Sequence, residues 1–270
     1  MTTGELLRSA WDPGTVVPLS CILALAAYFV HFRRRLEARA GSFVLAIALF
    51  FAALASPIGV LARGYLFSAH MLQHLLLTLG VPPLALLGLP RERESARPSR
   101  PGARAGAIAH VGSWLAGVGA MWIWHARALC NAAAVSAAVQ SCQTASLLVM
   151  GLAFWRPIFA PRVSARLPAF SVVLYLFAAC VACTILGVMV TLSPVEVCSA
   201  YMHPVDSLGV LPLLRDGWGL THQADQEVGG LLMWVPACFV YAAAILATLG
   251  RYYGEERRSP QVPLVTGGAQ

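Results

Sequence analysis

The residues best suited to chemistry in this sequence are two histidines four positions apart, in the segment His70-Met71-Leu72-Gln73-His74. Residues i and i+4 share one face of a helix, with Cβ atoms about 5–6 Å apart, so two imidazoles at this spacing can hold one metal ion. Met71 adds a thioether about 100° around the helix, and imidazole with thioether favours copper over magnesium or calcium. The same spacing also suits histidines that link neighbouring helices by hydrogen bonds, and the pattern alone leaves both interpretations open.

Two further groups place polar side chains at the ends of apolar runs. Asp225, Gly229 and Met233 recur every four residues and therefore share one helix face, where the glycine lets another backbone approach closely. Asp225 is equally well placed to cap the start of a helix. In Trp122-Ile123-Trp124-His125 the tryptophans are typical of an aromatic belt at the membrane interface, which favours an interfacial role for this histidine.

The elements that must position these residues are long apolar runs. The chain has 270 residues, of which 58% are hydrophobic and 11% are charged, less than half of the charged fraction of a soluble domain. Since about 20 apolar residues cross the hydrocarbon core of a bilayer, we predict one all-α domain over residues 1–270, a polytopic membrane bundle of seven transmembrane helices. The predicted spans cover about residues 14–32, 41–62, 66–89, 105–125, 132–155, 169–193 and 228–250.

The arginines set the predicted orientation of this bundle. All nineteen basic residues are arginine, and fifteen of them lie in segments 33–40, 91–104, 156–168 and 251–270. These segments fall on one side if every run spans the membrane, and arginine-rich short loops stay in the cytoplasm. We therefore predict an outer N-terminus and a cytoplasmic C-terminus. The long link 194–227 then lies outside, and five of the seven histidines gather toward the outer surface: His70, His74, His125, His203 and His222.

Charge and cysteine usage narrow the function further. The net charge of +7 is explained by the arginines that orient the chain in the membrane. The sequence contains no glycine-rich phosphate loop and no continuous basic face, so we expect no nucleic-acid partner. Most of the seven cysteines lie in apolar runs and are expected to pack as small hydrophobes, including the Cys180-x-x-Cys183 pair. Cys130 and Cys198 lie in outer segments, where a disulfide is permitted but not established by the sequence.

Several short blocks carry a family resemblance: Ser56-Pro57-Ile58, His70 through Leu77, Pro82-Pro83-Leu84, Gly88-Leu89-Pro90, Trp124-His125, Phe154-Trp155-Arg156-Pro157-Ile158, and Asp225-Gln226 through Met233-Trp234. Together they resemble the CtaG family of multi-spanning cytochrome c oxidase assembly factors, which is found with caa-type oxidases. The resemblance implies a protein of the bacterial inner (plasma) membrane that assists maturation of a haem–copper oxidase by delivering copper. Its implied partners are oxidase subunits and the lipid bilayer. The metal-site residues implied by position are His70, Met71, His74, His125, Asp225 and Met233.

One pair of positions departs from the family pattern. The family usually carries a second histidine pair in the fifth span, and here the matching residues are Gln140 and Thr144. Three alternatives to a copper carrier therefore stay open: a metal-free scaffold for a nascent oxidase subunit, a haem-binding membrane protein and a transporter. Bis-histidine haem within the fourth span is disfavoured, because His110 and His125 lie about 22 Å apart along the helix. We find no nucleophile–base set and expect no enzyme, and the sequence leaves a homo-oligomer open.

Overall fold

The structure, a computed structural model, describes residues 2–32, 39–91 and 103–258. Every regular element within these ranges is helical, which confirms the all-α prediction for them. The α-helices are α1 (Thr3–Ser9), α2 (Val16–Phe32), α3 (Ala40–Ala55), α4 (Pro57–Ala62), α5 (Phe67–Leu75), α6 (Val81–Gly88), α7 (Ala103–Trp124), α8 (Arg127–Val135), α9 (Ala137–Phe159), α10 (Ala169–Thr191) and α11 (His222–Arg258). Short 3₁₀ or π turns lie at Leu76–Gly80, Val163–Ala165, Ser199–Tyr201 and Leu213–Gly217.

Five helices among the described residues are long and apolar enough to cross a membrane. They cover Phe67–Gly88, Arg104–Trp124, Ala137–Phe159, Ala169–Thr191 and His222–Gly254. The helices α2 and α3 are also apolar but have only 17 and 16 residues, about 25 Å of helix against a hydrocarbon core of about 30 Å. The seven-span topology and its orientation therefore remain predictions. Six of the fifteen arginines lie outside the described residues, in the segments 33–40 and 91–104.

The helix boundaries correct the predicted spans at three places. The predicted span 41–62 breaks at Ser56, whose hydroxyl accepts a hydrogen bond from the Ile58 amide at 3.2 Å and caps α4. The predicted start of the fifth span at residue 132 is wrong, because Ser136 separates α8 from α9 and caps α9. A serine cap competes with the continuous helix that hydropathy alone suggests. The last helix begins at His222, six residues before the predicted 228, so it absorbs the end of the outer link.

The helices α5 and α6 form one continuous rod, joined by the π turn between them. Pro82 has no backbone N–H, so the carbonyl of Thr78 loses its normal helical partner. This carbonyl accepts a hydrogen bond from the indole Nε1 of Trp155 at 2.9 Å. Trp155 in α9 is completely buried. It therefore pins the rod that carries the histidine pair.

Replacing Trp155 with phenylalanine should lower the free energy of unfolding by about 1–3 kcal/mol, since the Thr78 carbonyl would lose its donor in an apolar environment. Thermal unfolding of the detergent-solubilised protein measures the effect. The matched control is Trp122→Phe, because Trp122 is 38% exposed on α7. Equal destabilisation by both substitutions would contradict this role for the indole.

One end of the bundle, where α5 and α11 begin and α7 ends, is called the site end below. It is covered by α1, α4 and the link between α10 and α11. Leu6 of α1, Leu61 of α4 and Val210 of the link are buried in one apolar cluster. The hydroxyl of Tyr201 donates a hydrogen bond to the Ala62 carbonyl at 2.8 Å, tying the link to α4. These contacts close a surface that the sequence predicted only as a long loop.

The cysteines divide into one disulfide and a set of free thiols. Cys130 of α8 is joined to Cys198 of the link, with Cα atoms 5.8 Å apart, which resolves the pairing left open by the sequence. In the apolar interface between α10 and α11, Cys180 Sγ lies 2.7 Å from Cys238 Sγ, and Cys183 Sγ lies 3.8 Å from the Tyr241 hydroxyl. The Cys-x-x-Cys pair thus packs between helices, as expected for small apolar side chains.

Candidate functional site

Three imidazoles meet at the site end. His70 and His74 share one face of α5, with ring centroids 4.2 Å apart, as the four-residue spacing predicts. His125 directly follows α7, and its ring centroid lies 5.6 Å from that of His74. All three rings are buried, with exposed fractions of 2%, 2% and 7%. The structure therefore brings together three of the five histidines that the sequence placed near one surface.

The ring of His125 has a defined orientation. Its Nδ1 lies 2.6 Å from the Met121 carbonyl oxygen, and its Nε2 lies 3.1 Å from Met71 Sδ. A carbonyl only accepts hydrogen bonds, so the proton of the neutral ring belongs on Nδ1, which leaves a lone pair on Nε2. The thioether sulfur also has no proton to give. Two atoms with lone pairs thus face one another, and a soft cation bound by both of them would stabilise this arrangement.

The histidine pair on α5 lacks the partners that a purely structural role requires. Nδ1 of His70 and both ring nitrogens of His74 are buried with no hydrogen-bond partner among the described residues. The side chain of Gln143 in α9 lies close enough to the His74 ring to interact with it. Among the described residues, however, no hydrogen bond of standard geometry joins them, and Gln143 Nε2 has no partner there either. Leaving a buried polar atom unpaired costs about 1–3 kcal/mol. These nitrogens fit a metal-ligating role better than a role as interhelical links.

Asp225 holds the start of α5 in place. Its Oδ2 accepts a hydrogen bond from the Phe67 amide at 2.8 Å, and its Oδ1 accepts from the amide and the hydroxyl of Ser68 at 3.0 and 2.6 Å. The carboxylate therefore caps a neighbouring helix, whereas the sequence suggested a cap for its own. These three bonds use most of the roughly four lone-pair sites of the carboxylate, so direct binding of a metal would compete with the cap. Its position instead sets the depth and rotation of His70, two residues further along α5.

The face of α11 that carries Asp225 packs closely against α5. A Cβ added to Gly229 would lie 2.5 Å from the Phe67 ring and 3.2 Å from Met71 Cγ, so only glycine fits there without displacement. Met233, one turn further along α11, is 9% exposed and belongs to the same apolar cluster as Met71. The predicted face of Asp225, Gly229 and Met233 is therefore directed at the histidine-bearing helix.

A small cavity extends below the imidazoles toward the middle of the bundle. It has a volume of about 40 Å³ and is lined by His74 and by Met71, Met121 and Met233, enough space for one ion or water. Met121 is a lining residue that the sequence analysis missed. Its position four residues before His125 could have identified it, because this spacing places both side chains on the same side of the end of α7. The cavity wall is thus rich in soft sulfur atoms.

Gln140 and Thr144 lie away from this cluster. They line a separate cavity of about 460 Å³ on the other side of α5, together with Gln73. The Gln73 side chain donates to the Ala53 carbonyl at 2.8 Å, which fixes that face of α5 against α3. The positions where the family's second histidine pair is expected therefore do not belong to the cluster of His70 and His74.

The site is incomplete as a metal centre in this arrangement. Within the described parts of the chain, no three His, Cys, Asp or Glu side chains form a group that could hold a metal ion. The thioethers lie outside that set of residue types. Binding a metal at the imidazoles would therefore require side-chain rotation or the thioether of Met71 as a ligand. The donor types fit copper, while the geometry is not preformed.

A wider pocket of about 640 Å³ opens at the surface of the site end, lined by His222, Asp225 and Tyr201 among others. The Tyr201 ring lies 5.7 Å from the ring of His70 and 5.8 Å from that of Phe67. Burial, and then the nearby Asp225 carboxylate, raise the pKa of the Tyr201 phenol, so it stays neutral. Tyr201 therefore lines the surface pocket and also lies against the buried imidazole of His70.

The comparisons with known proteins bear on the same residues. A sequence profile of the family described as cytochrome c oxidase caa3 assembly factor matches residues 24–255. The matched region is most of the chain and includes all six predicted metal-site residues. No curated protein and no solved structure matches the chain.

Proposed function

Because the chain belongs to the cytochrome c oxidase caa3 assembly factor family, we propose that it receives copper at the site end and passes it to a nascent oxidase subunit. Copper is the cargo in this proposal and no catalytic step is assigned. The observation that carries it is the set of buried nitrogens on His70 and His74 that have no hydrogen-bond partner among the described residues, beside the facing Nε2 of His125 and Sδ of Met71.

The donor chemistry supports copper among the common metals. Imidazole serves many transition metals, whereas a thioether sulfur selects soft ions such as Cu(I). His70, His74 and His125 supply the imidazoles and Met71 the nearest thioether, with Met233 lining the cavity below. In this proposal Asp225 acts by positioning α5, and its carboxylate is not assigned as a ligand.

We further propose that the site end faces the periplasm and that all seven apolar runs cross the bacterial inner membrane. The Cys130–Cys198 disulfide lies at the site end, and disulfides persist in oxidising compartments outside the cytoplasm. Arg166 and Arg251 lie at the opposite end, where basic residues mark the cytoplasmic side. Copper would then reach His70 from the periplasm through the pocket beside Tyr201.

A metal-free scaffold is the second candidate function. The absence of a complete metal-binding group among the described residues favours it, as do Gln140 and Thr144 at the positions of the expected second histidine pair. Under this alternative the site end holds an oxidase subunit by shape and hydrogen bonding. The two candidates predict different effects of added copper on a variant of the site: copper should restore activity if the site transfers copper, and should not if the site is a scaffold.

The test is oxidase maturation in a strain that carries only His70→Ala/His74→Ala. We expect oxidase activity per assembled subunit to fall about tenfold, because removing ligands lowers metal affinity by at least that factor. Added copper should restore part of the activity. The matched control is His31→Ala/His110→Ala, which removes two histidines that the predicted topology places at the other membrane face.

The outcome separates the two candidates. Normal copper content and activity of the oxidase in the double variant would reject copper transfer through these residues. Loss of the oxidase subunit itself, without rescue by copper, would support the scaffold.

A further inference from the structure

A second polar cavity lies at the opposite end of the bundle, where α6 and α9 end and α10 begins. Its volume is about 380 Å³, and three arginines from separate parts of the chain line it. Arg91 follows α6, Arg166 lies in the link between α9 and α10, and Arg251 belongs to α11. None of the described residues that line this cavity is acidic. We call it the arginine pocket.

The arginine pocket concentrates positive charge. Burial lowers the pKa of Arg166, and so do the positive charges of Arg251, Arg91 and Arg39 nearby. Nε of Arg166 donates to the Ala160 carbonyl at 2.8 Å, at the end of α9, which holds the guanidinium in place. Like charges brought together repel one another and raise the local positive potential. The arrangement therefore favours a bound anion.

The inner wall of the arginine pocket is apolar. Ile158 and Val172 are 2% and 3% exposed and form part of the wall, together with Leu167. Phe170, beside the pocket, is 62% exposed and packs its ring edge-on against Tyr252 at 5.4 Å. An inorganic anion would gain nothing from this apolar wall. A molecule with a phosphate at one end and a hydrocarbon chain at the other matches both parts of the pocket.

We propose that the arginine pocket binds the headgroup phosphate of an anionic phospholipid. The arginines hold the phosphate, because a guanidinium presents paired donors that suit its oxygens. The acyl chain lies along Leu167 and the neighbouring exposed ring of Phe170. The location supports this, since the pocket lies beside the ends of four helices that are long and apolar enough to cross a membrane, and lipid headgroups lie at the ends of helices that span a bilayer. The inference is independent of copper, which concerns the other end of the bundle.

The experiment measures lipid binding to the purified, delipidated full-length protein in neutral detergent. The probes are phosphatidylglycerol, phosphatidylcholine with the same acyl chains, and inorganic phosphate. For the wild type we expect tighter binding of phosphatidylglycerol than of phosphatidylcholine, and no competition by inorganic phosphate. In Arg166→Gln/Arg251→Gln, the dissociation constant for phosphatidylglycerol should rise about tenfold or more, because two charges near the phosphate are lost.

The matched control is Arg104→Gln/Arg257→Gln, which removes the same charge near the same end of the bundle from residues that do not line the pocket. Its affinity should equal that of the wild type. The second variant is Arg251→Gln alone. Arg251 is exposed, and its replacement leaves the hydrogen bond from Arg166 to the Ala160 carbonyl in place. This variant should also bind phosphatidylglycerol more weakly than the wild type. Equal affinity in wild type and both pocket variants would overturn the proposal. Equal binding of phosphatidylcholine, or full competition by inorganic phosphate, would also overturn it.

Discussion

Replacing Asp225 with alanine is expected to lower the free energy of unfolding by about 2–4 kcal/mol, because the amides of Phe67 and Ser68 would lose their shared acceptor inside the protein. The three hydrogen bonds to this carboxylate are the only side-chain cap at the start of α5 among the described residues. Loss of the cap allows the first turn of α5 to fray, and this turn carries His70. We therefore expect copper binding to weaken together with stability.

Chemical unfolding and copper loading of the same preparations measure both effects. Asp225→Asn should be intermediate in stability, since one amide oxygen still accepts a hydrogen bond while the amide nitrogen faces a backbone N–H. The control is Glu227→Ala, a carboxylate on the same helix that bonds only to Gln223 at the surface in the described structure, where effects stay within about 0.5 kcal/mol. Full stability of Asp225→Ala would show that α5 is held by packing alone.

The double substitution His70→Ala/His74→Ala should reduce bound copper to background after loading with Cu(I), as measured by the metal content per chain. In the described part of the chain, three of the removed ring nitrogens have no hydrogen-bond partner, so their loss breaks no hydrogen bond there. The cost to the fold is the lost packing of two buried rings. The variant should therefore still unfold cooperatively while it no longer binds the metal.

The control is Gln73→Ala, which should lower stability and leave copper binding unchanged. Gln73 lies between the histidines in sequence but on another face of α5, where it bonds to the Ala53 carbonyl. Its loss should cost about 1–2 kcal/mol of stability and leave copper binding intact. If the double histidine variant keeps the copper stoichiometry of the wild type, the proposed site is wrong.

Much of this architecture follows from local patterns in the sequence. Apolar runs of membrane length predicted the five long helices. The bounds were wrong where a serine cap interrupts a run, at Ser56 and Ser136, and at the last helix, which begins six residues earlier than predicted. The four-residue spacing of His70 and His74 predicted that their rings lie together. Such features depend on helix periodicity, which each segment carries without reference to the rest of the chain.

The contacts between helices could not be obtained in this way. Asp225 was recognised as a capping residue, but the helix that it caps begins 158 residues earlier in the chain. The approach of His125 to Met71, the contribution of Met121 and the separation of Gln140 from the histidines were likewise not evident. They depend on how distant helices pack and rotate, and a bilayer-spanning helix reveals little of its rotation when apolar residues surround it on every side.

Hydropathy, arginine placement and histidine spacing in the chain alone thus specify a helical membrane protein with a histidine pair near one end. Long-range packing then brings the side chains of His125 and Met121 to this pair, and it determines that Asp225 caps α5 instead of lying free beside the proposed copper site. The physical reason is that helix formation is satisfied by hydrogen bonds within a segment, whereas a cluster of side chains from α5, α7 and α11 exists only once those helices are packed together.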